Sequence, residues 1–280
     1  MNSSMDKIEH RWLSKDLDYL KHTGQVEIDS VYNCDCLDGM EFIPDGSVDC
    51  VICDLPYGTT ACKWDTVIPF DELWKHYNRV VKDDGAVLLF GQEPFSSYLR
   101  ISNISDYRYD IYWQKERLTN IQQVKRRVGK DVECISVFYR KQCTYNPQMI
   151  DYAGPKRTNK IGNGKLGLLT DNGTKKPFEY NDTGKRYPTQ IWRFKRDILT
   201  SNLHPTQKPL ALVRELVMTF TNRGDLVLDN CMGSGTTAVA CMETGRRFVG
   251  FEKDADYFRI CMDRIESCRN SIAADDRACE

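Results

Sequence analysis

The chain alternates between two patterns of apolar and polar residues. Short, mainly apolar runs at positions 48–53, 86–90 and 226–228 are typical of buried strands. Between such runs, apolar residues recur every three or four positions, which predicts helices with one buried face. The clearest example is the segment 69–81, whose apolar side chains are Phe70, Leu73, Trp74, Tyr77, Val80 and Val81.

The same two patterns extend over most of the sequence. Further strands are predicted at 26–32, 108–113, 134–139 and 248–251, and further helices at 37–42, 96–101, 210–220 and 236–242. Strands and helices that alternate through short turns favour an α/β fold, with a parallel sheet covered by helices on both faces.

The alternation weakens between residues 141 and 202. This segment is rich in Gly, Asn, Thr and Lys, and its apolar residues show little periodicity. Loops of that length are usually functional or disordered, so we interpret the segment as an inserted irregular lobe. The predicted parts of the chain are a lead-in (1–25), a first α/β part (26–140), the inserted lobe (141–202), a second α/β part (203–269) and a frayed tail (270–280).

The composition is typical of a soluble protein with a sizeable core. Of the 280 residues, 41% are hydrophobic and 28% are charged, and the mean hydropathy is -0.53. No apolar run approaches the ~20 residues that cross a membrane, and the first residues lack the apolar centre of a secretory signal. We therefore expect a cytoplasmic protein.

The 12 cysteines suit a reducing compartment better than a metal site. Most of them lie in apolar segments, where a free thiol packs as a small hydrophobic side chain. The pairs Cys34-x-Cys36 and Cys50-x-x-Cys53 could indicate zinc, but residues 50–53 alternate along a predicted strand and no second pair completes a four-cysteine site. No metal is therefore predicted.

The net charge of -1 hides an uneven distribution of charge. Residues 140–200 contain 13 Lys and Arg against 5 Asp and Glu, whereas the remainder has 26 basic and 35 acidic residues. Basic character concentrated in one region indicates a nucleic acid as its partner.

The strand at 48–53 ends in the sequence Asp54-Leu55-Pro56-Tyr57-Gly58. Pro and Gly punctuate chains, so an ordinary turn explains the motif as well as a functional site does. The motif also offers a carboxylate, a carbonyl freed by the turn and an aromatic face. A second motif decides between the two interpretations.

The second motif begins where the strand at 226–228 ends. Asp229 is followed by the loop Gly233-Ser234-Gly235, a helix, a strand and Glu252. Glycines let a ligand approach the backbone above a helix N-terminus, and the final acid can accept hydrogen bonds from both ribose hydroxyls. The loop lacks the third glycine of a dinucleotide site and the lysine of a Walker motif, which favours a nucleoside without phosphates.

Both acidic strand ends are expected at one rim of the sheet, because ligands of open parallel sheets bind outside the carboxyl ends of the strands. One motif would bind a nucleoside-like cofactor. The other would present a carboxylate, a carbonyl and an aromatic ring to a second reactant.

This pairing resembles the S-adenosylmethionine-dependent amino-methyltransferases of DNA, which modify adenine at its 6-amino group or cytosine at its 4-amino group. Residues 54–57 are similar to the catalytic tetrad Asp-Pro-Pro-Tyr, with Leu at the variable second position. Residues 229–235 are similar to the cofactor loop, although Cys231 stands where Phe is usual. The segments NCDCLDGM, HPTQKP, YWQK and ECISVFYRK also resemble family segments. The tetrad precedes the cofactor loop, with the basic lobe between them, which is the order of the class called beta.

The resemblance implies a Rossmann-like, seven-stranded, mostly parallel sheet with helices on both faces and an inserted target-recognition lobe. It also implies S-adenosylmethionine as cofactor and double-stranded DNA as substrate, and homodimers are common in this class. The implied catalytic residues are Asp54, Pro56 and Tyr57. The implied cofactor residues are Asp35, Cys36, Thr206, Lys208, Asp229, Gly233, Ser234, Gly235, Thr236 and Glu252. The implied DNA-binding residues are Lys115, Arg117, Arg126, Arg127, Arg193, Lys195 and Arg196.

An exocyclic amino group is a poor nucleophile, because its lone pair is delocalised into the ring. Asp54 and the carbonyl of Pro56 would accept its two N–H groups and draw the nitrogen towards tetrahedral geometry, while Tyr57 would stack on the base. The base has to be flipped out of the duplex to reach them. Most of the rate gain would come from positioning two reactants.

Alternatives remain at this stage. Family members with Asp first in the tetrad mostly act on adenine and those with Ser mostly on cytosine, so adenine is preferred and cytosine is the nearest alternative. An RNA or protein methyltransferase fits the basic lobe less well, and a nucleoside-binding regulator would leave the tetrad without a purpose. Asp35 could simply cap a helix, Lys208 could be a solvated residue, residues 115–127 could form a solvated face, and the aromatics in 192–196 could only pack the edge of the lobe.

Overall fold

A computed structural model of the chain describes residues 15–58, 66–152, 154, 183–197 and 207–278. These residues form two compact units. The first unit contains the described residues up to 146 and from 190 onwards, and the second contains those between 147 and 189.

Helices and strands alternate through most of the described chain. The helices are α1 (Leu17–Thr23), α2 (Cys36–Met40), α3 (Phe70–Val80), α4 (Phe95–Ser102), α5 (Leu210–Phe220), α6 (Thr236–Thr244) and α7 (Ala255–Ala278). The strands are β1 (Ser30–Tyr32), β2 (Val48–Cys53), β3 (Val81–Gly91), β4 (Tyr107–Gln114), β5 (Val132–Phe138), β6 (Ile150–Asp151), β7 (Lys185–Arg186), β8 (Ile191–Arg193), β9 (Leu226–Asp229) and β10 (Arg247–Phe251).

The first unit is built on one sheet with the strand order β1-β10-β9-β2-β3-β5-β4-β8. Strands β1, β10, β9, β2 and β3 are parallel neighbours. Strand β5 runs antiparallel to both β3 and β4, and β8 pairs parallel with β4. The α/β fold with a mostly parallel sheet is therefore confirmed.

The described sheet has eight strands, one more than the seven predicted. The additional strand is β8, which lies in the segment assigned from sequence to the inserted lobe. Trp192 pairs with Trp113 of β4 and is only 9% exposed, and the indole of Trp113 donates to the carbonyl of Phe194 at 2.9 Å. Burial of these aromatic side chains holds the segment against the sheet. A strand of three residues is too short to show a periodic pattern, so the sequence did not predict it.

Two strands begin more than two residues away from their predicted starts. Strand β1 covers only Ser30–Tyr32 of the predicted 26–32. Strand β3 begins at Val81, directly after α3, although Asp83 and Asp84 read as a turn. The strand accommodates them because its pairing with β2 is irregular between Val48 and Cys50, so that both aspartates stay exposed.

The sheet is buried on both faces, as the apolar strands predict. Along β2, Cys50 and Ile52 pack into one core cluster, and Val51 and Cys53 pack into the other. Helix α5 covers the first face with Leu212, Val213, Leu216, Val217 and Phe220. Helix α3 covers the opposite face with Leu73, Trp74, Tyr77 and Val80.

The last helix, α7, continues to Ala278, through residues predicted from sequence to be frayed. Its first half packs on the core through Phe258, Cys261 and Ile265. Farther along, the guanidinium of Arg269 donates to the carbonyl of Asp29 at 2.9 Å. This contact holds the helix beyond Ile265, immediately before the predicted tail.

The described part of the second unit contains the antiparallel pair β6 and β7. The guanidinium of Arg186 lies 4.3 Å from the ring centroid of Tyr152. Most of the predicted lobe lies outside the described residues. No helix in the described part of the chain is both long and apolar enough to cross a membrane.

Candidate active site

The two acidic motifs meet at the carboxyl ends of adjacent strands. Strands β2 and β9 pair through Cys50 with Val227 and Val51 with Leu228, so the residues that follow them emerge side by side. A cavity of about 750 Å³ opens there, and both Asp54 and Asp229 line it. This volume is typical of a site for a small molecule or cofactor.

Asp54 belongs to a compact cluster of charged and polar side chains. One carboxylate oxygen, Oδ1, accepts from the hydroxyl of Tyr57 at 2.5 Å, and the other, Oδ2, lies 2.8 Å from the ammonium of Lys208. The same ammonium lies 2.6 Å from Glu133, whose other oxygen is 2.7 Å from the ammonium of Lys115. Two carboxylates and two ammonium groups therefore share one wall of the cavity.

Glu133 reaches this wall because of the direction of β5. A parallel strand would present its last residues at the rim, but β5 is antiparallel to β3, so its first residues lie there. Glu133 Oε1 also accepts from the hydroxyl of Tyr57 at 3.1 Å. The hydroxyl of Tyr57 thus lies within hydrogen-bond distance of both acids, and Asp54 is the nearer acceptor of its single hydrogen.

The electrostatics of the cluster follow from burial and pairing. Burial raises the pKa of Asp54, although the adjacent ammonium of Lys208 opposes the increase. Burial alone would also raise the pKa of Glu133, but Lys208 and Lys115 together lower it to about 2. Although burial opposes it, Asp54 and Glu133 raise the pKa of Lys208. The two lysines therefore favour the ionised form of Glu133, and Asp54 is the more basic of the two carboxylates.

The ring of Tyr57 is packed on the side of helix α4. Its centroid lies 5.0 Å from that of Phe95, at an interplanar angle of 38°. Burial raises the pKa of its hydroxyl, so that the group stays a hydrogen-bond donor near neutral pH. Tyr57 lines the cavity together with Pro56.

Asp229 also lines the cavity and is 5% exposed. Its oxygens accept from the hydroxyl of Thr237 at 2.6 Å and from the backbone amide of Cys231 at 3.1 Å. Burial raises the pKa of Asp229 to about 7, and these hydrogen bonds only partly offset it. The carboxyl group therefore titrates near neutral pH.

This raised pKa predicts a pH dependence of stability in the cofactor-free protein. The folded chain binds the Asp229 proton more tightly than the unfolded chain, so its contribution to stability is complete below pH ~4 and is lost as pH rises to ~7. The variant Asp229→Asn cannot titrate at this position. The free energy of unfolding of the variant minus that of the parent should therefore increase by on the order of 2–4 kcal/mol between pH 4 and pH 8. Urea unfolding at both pH values measures the difference, and a constant difference would contradict the assignment.

Glu252 follows β10 and shapes the glycine loop. Its Oε2 accepts from the amide of Gly233 at 2.7 Å, and its Oε1 accepts from the amide of Asp254 at 2.8 Å. Burial raises the pKa of this carboxyl group. Glu252 lines the cavity, and a carboxylate has about four acceptor sites, so the acid can hold the loop and still accept from a ligand.

The rest of the loop is held by helix α7. Gly235 has φ 83°, and a Cβ there would come within 2.7 Å of the sulfur of Cys261, so only glycine fits. The guanidinium of Arg264 donates to the carbonyl of Ser234 at 2.6 Å and to the hydroxyl of Thr236 at 3.2 Å. The hydroxyls of the loop are thus partly occupied by protein groups.

The remaining predicted cofactor residues occupy different surroundings. Asp35 caps α2 by accepting from the amide of Leu37 at 3.0 Å, and it also pairs with Lys253 at 3.0 Å. Cys36 is buried next to Asn230, and both line the cavity. Thr206 lies outside the described residues. Lys208 lines the cavity, but its ammonium is engaged by Asp54 and Glu133.

The predicted DNA-binding residues divide into two groups. Lys115 is in the cavity wall, paired with Glu133, and the guanidinium of Arg196 contacts Glu116 at 3.1 Å, so neither is an unengaged surface charge. Lys115 is displaced from the predicted exposed face because an acid at the start of β5 attracts it inward. The others remain exposed, and they are Arg117, Arg126, Arg127, Arg193 and Lys195.

Sequence reasoning missed Glu133 and Arg264 as site residues. The available signal for Glu133 was a single acid in an otherwise apolar strand, which is costly to bury without a partner. Arg264 gave no such signal, because it is one of several charges along a helix.

Comparison with known proteins agrees with this geometry. A family model described as DNA methylase, for N6 and N4 methyltransferases, matches residues 48–263, which include both strand-end motifs. The chain belongs to the DNA methylase family.

Relatives of this DNA methylase share its length as well as its sequence. It is 26% identical to the DNA adenine methyltransferase YhdJ of Escherichia coli over 86% of this chain and 83% of that protein. The crystal structure of the M1.HpyAVI–SAM complex is 24% identical to this chain with a TM-score of 0.58, and the match covers 84% of this chain and 98% of the M1.HpyAVI chain. The cytosine-N4-specific PvuII DNA methyltransferase is 17% identical with a TM-score of 0.59, and covers 89% and 93%. Both structures are similar to this chain in fold.

Proposed function

We propose that the protein transfers a methyl group from S-adenosylmethionine to the 6-amino group of adenine in a specific DNA sequence. The observation that carries this proposal is the position of the Asp54 carboxylate in one cavity with Asp229, the glycine loop and Glu252. Such a transfer requires a group that accepts hydrogen bonds from the target amine and a site for the nucleoside part of the cofactor. This cavity has candidates for both at one rim of the sheet.

Asp54 would bind the target amino group. An ionised carboxylate has about four lone-pair sites, so Asp54 can accept an N–H bond while it keeps its contacts with Tyr57 and Lys208. Its raised pKa suits it to take the proton that the nitrogen loses on methylation. The carbonyl of Pro56 would accept the second N–H bond, and the ring of Tyr57 would support the base.

The opposite side of the cavity has groups that suit S-adenosylmethionine. Its acids and backbone amides match a ligand with ribose hydroxyls and an ammonium group, and the open space above Gly233 lets that ligand approach the backbone. Glu252 would hold the ribose, and Asp229 and the loop 233–236 would hold the amino acid part. When bound, the cofactor supplies an electrophilic methyl group on a sulfonium.

Replacing Glu252 tests the cofactor half of this assignment. Glu252→Ala should weaken S-adenosylmethionine binding by about 1–3 kcal/mol, because the ribose hydroxyls lose their acceptor. Calorimetry measures the affinity, and Asp256→Asn, an exposed acid on the following helix, is the matched control. Unchanged affinity in Glu252→Ala would contradict the ribose assignment.

Adenine is preferred over cytosine because of the aspartate at position 54. In the resembling enzymes, tetrads that begin with Asp mostly act on adenine. The long match to the E. coli protein, whose name specifies adenine, supports the same choice. Cytosine at its 4-amino group is the second candidate, since a cytosine-N4-specific enzyme shares the fold.

The partner would be double-stranded DNA, and the region 141–202 would recognise its sequence. The basic excess of residues 140–200 supports this, because Lys and Arg neutralise phosphates and release counterions. A homodimer and a cytoplasmic site of action, in a bacterial or phage-infected cell, are part of the same proposal.

Transfer of a radiolabelled methyl group from S-adenosylmethionine to DNA tests the proposed reaction. We expect incorporation into unmethylated duplex DNA and none into protein or RNA. Digestion of the product to nucleosides should give N6-methyladenine. Label in any other acceptor would refute the proposal.

A further inference from the structure

The loop between β4 and β5, residues 115–131, has an ordered tip with an unusual surface. At its neck, the amide of Thr119 donates to the carbonyl of Lys130 at 2.7 Å, and the Asn120 side chain donates to the carbonyl of Val128 at 3.0 Å. Within the tip, the carbonyl of Gln123 accepts from the amides of Arg126 and Arg127 at 2.8 and 3.0 Å. The tip is therefore a defined turn.

Aliphatic side chains project from this turn into solvent. Ile121 is 71% exposed, Val128 is 89% exposed and Val124 is 41% exposed. Three consecutive basic residues, Lys125, Arg126 and Arg127, lie between Val124 and Val128 and are also exposed. Exposed aliphatic groups grouped with positive charges are typical of surfaces that contact a partner with both negative charge and an apolar interior.

The neck of the loop lies at the mouth of the catalytic cavity. Thr119 lines the cavity, and so does Gln92, whose side chain accepts from the ammonium of Lys130. Lys115 and Glu133, which flank the loop in sequence, belong to the Asp54 cluster. A duplex that delivers a base to Asp54 would therefore meet the tip of this loop.

Extruding a base leaves a gap in the stack, and DNA-binding proteins fill such gaps with apolar side chains next to phosphate-binding residues. We propose that the tip of the β4–β5 loop enters the duplex at the target base, with Ile121 and Val128 occupying the space of the extruded base. Arg126 and Arg127 hold the flanking phosphates. This inference rests on the proposed function.

The test compares two duplexes that carry the methylation site mapped by sequencing. In one the target base is paired, and in the other it faces an abasic position, so that extrusion costs less. The Ile121→Ala/Val128→Ala variant should methylate the paired duplex about tenfold or more slowly in a single turnover, and the abasic duplex within about twofold of the parent rate. Ile104→Ala changes an aliphatic residue outside the loop that is 65% exposed, and this variant should behave as the parent on both duplexes.

Other outcomes overturn the inference. Equal losses on both duplexes would show that the side chains only support binding, and no loss on either would show that they do not contact DNA. A change from dimer to monomer in sedimentation, without a difference between the duplexes, would assign the tip to an interface between copies. If the parent protein methylates neither duplex, the proposed function itself fails and this inference fails with it.

Discussion

Asp54→Ala is expected to lower the rate of methyl transfer at least about 100-fold to 1000-fold, the range found when a group aimed at developing charge is removed. The variant loses the acceptor that holds the amino nitrogen, and it loses the group that takes the nitrogen's proton. Lys208 keeps its ion pair with Glu133 at 2.6 Å, so the cavity wall keeps a buried partner for the ammonium.

The measurement for this variant has two parts. Single-turnover transfer to DNA should collapse, while calorimetry should give a cofactor affinity within about twofold of the parent, because Glu252 and the glycine loop are unchanged. Asp71→Asn, an exposed acid in the first turn of α3, is the matched control and should retain full activity. Substantial turnover in Asp54→Ala would refute the role of this carboxylate.

Glu133→Gln is expected to have the second largest effect, and it should affect both stability and rate. The substitution leaves two buried ammonium groups with one carboxylate, and breaking a buried ion pair typically costs about 3–5 kcal/mol. Lys208 would then pair with Asp54 alone, which favours the ionised form of that carboxylate and makes it a weaker acceptor of the proton that the target nitrogen loses. We expect the turnover number to fall about tenfold to 100-fold, with a smaller change in cofactor affinity.

Restoring the charge balance separates these two effects. Glu133→Gln/Lys115→Gln has one carboxylate for one ammonium, so it should recover most of the lost free energy of unfolding in urea titrations. Glu116→Gln removes a surface acid whose partner is Arg196, and a change of about 1 kcal/mol or less is expected there. A double variant as unstable as Glu133→Gln would contradict the charge-balanced cluster.

The sequence was sufficient to predict the parallel part of the sheet and its rim. Apolar runs that end in acids identify Asp54, Asp229 and Glu252, because each of them lies at or directly after the carboxyl end of a parallel strand. Their convergence needs no knowledge of distant contacts, since the carboxyl ends of parallel strands share one edge. The roles of these residues remain proposals.

The remaining features depend on long-range topology. Glu133 reaches the rim only because β5 is antiparallel, and its direction is set by pairing with β3. Lys115 turns inward because Glu133 is there to receive it. Strand β8 exists because Trp192 is buried beside Trp113, across nearly 80 residues of sequence. None of these contacts leaves a periodic pattern in the residues around it.

The most direct test is to sequence, with detection of modified bases, the DNA of a methylation-free host that expresses the protein. We predict N6-methyladenine at one defined sequence motif, and no modification in the same host expressing Asp54→Ala. Methylated cytosine at the 4-amino group would contradict the choice of base. Unmodified DNA, or the same marks with Asp54→Ala, would contradict the account of the site.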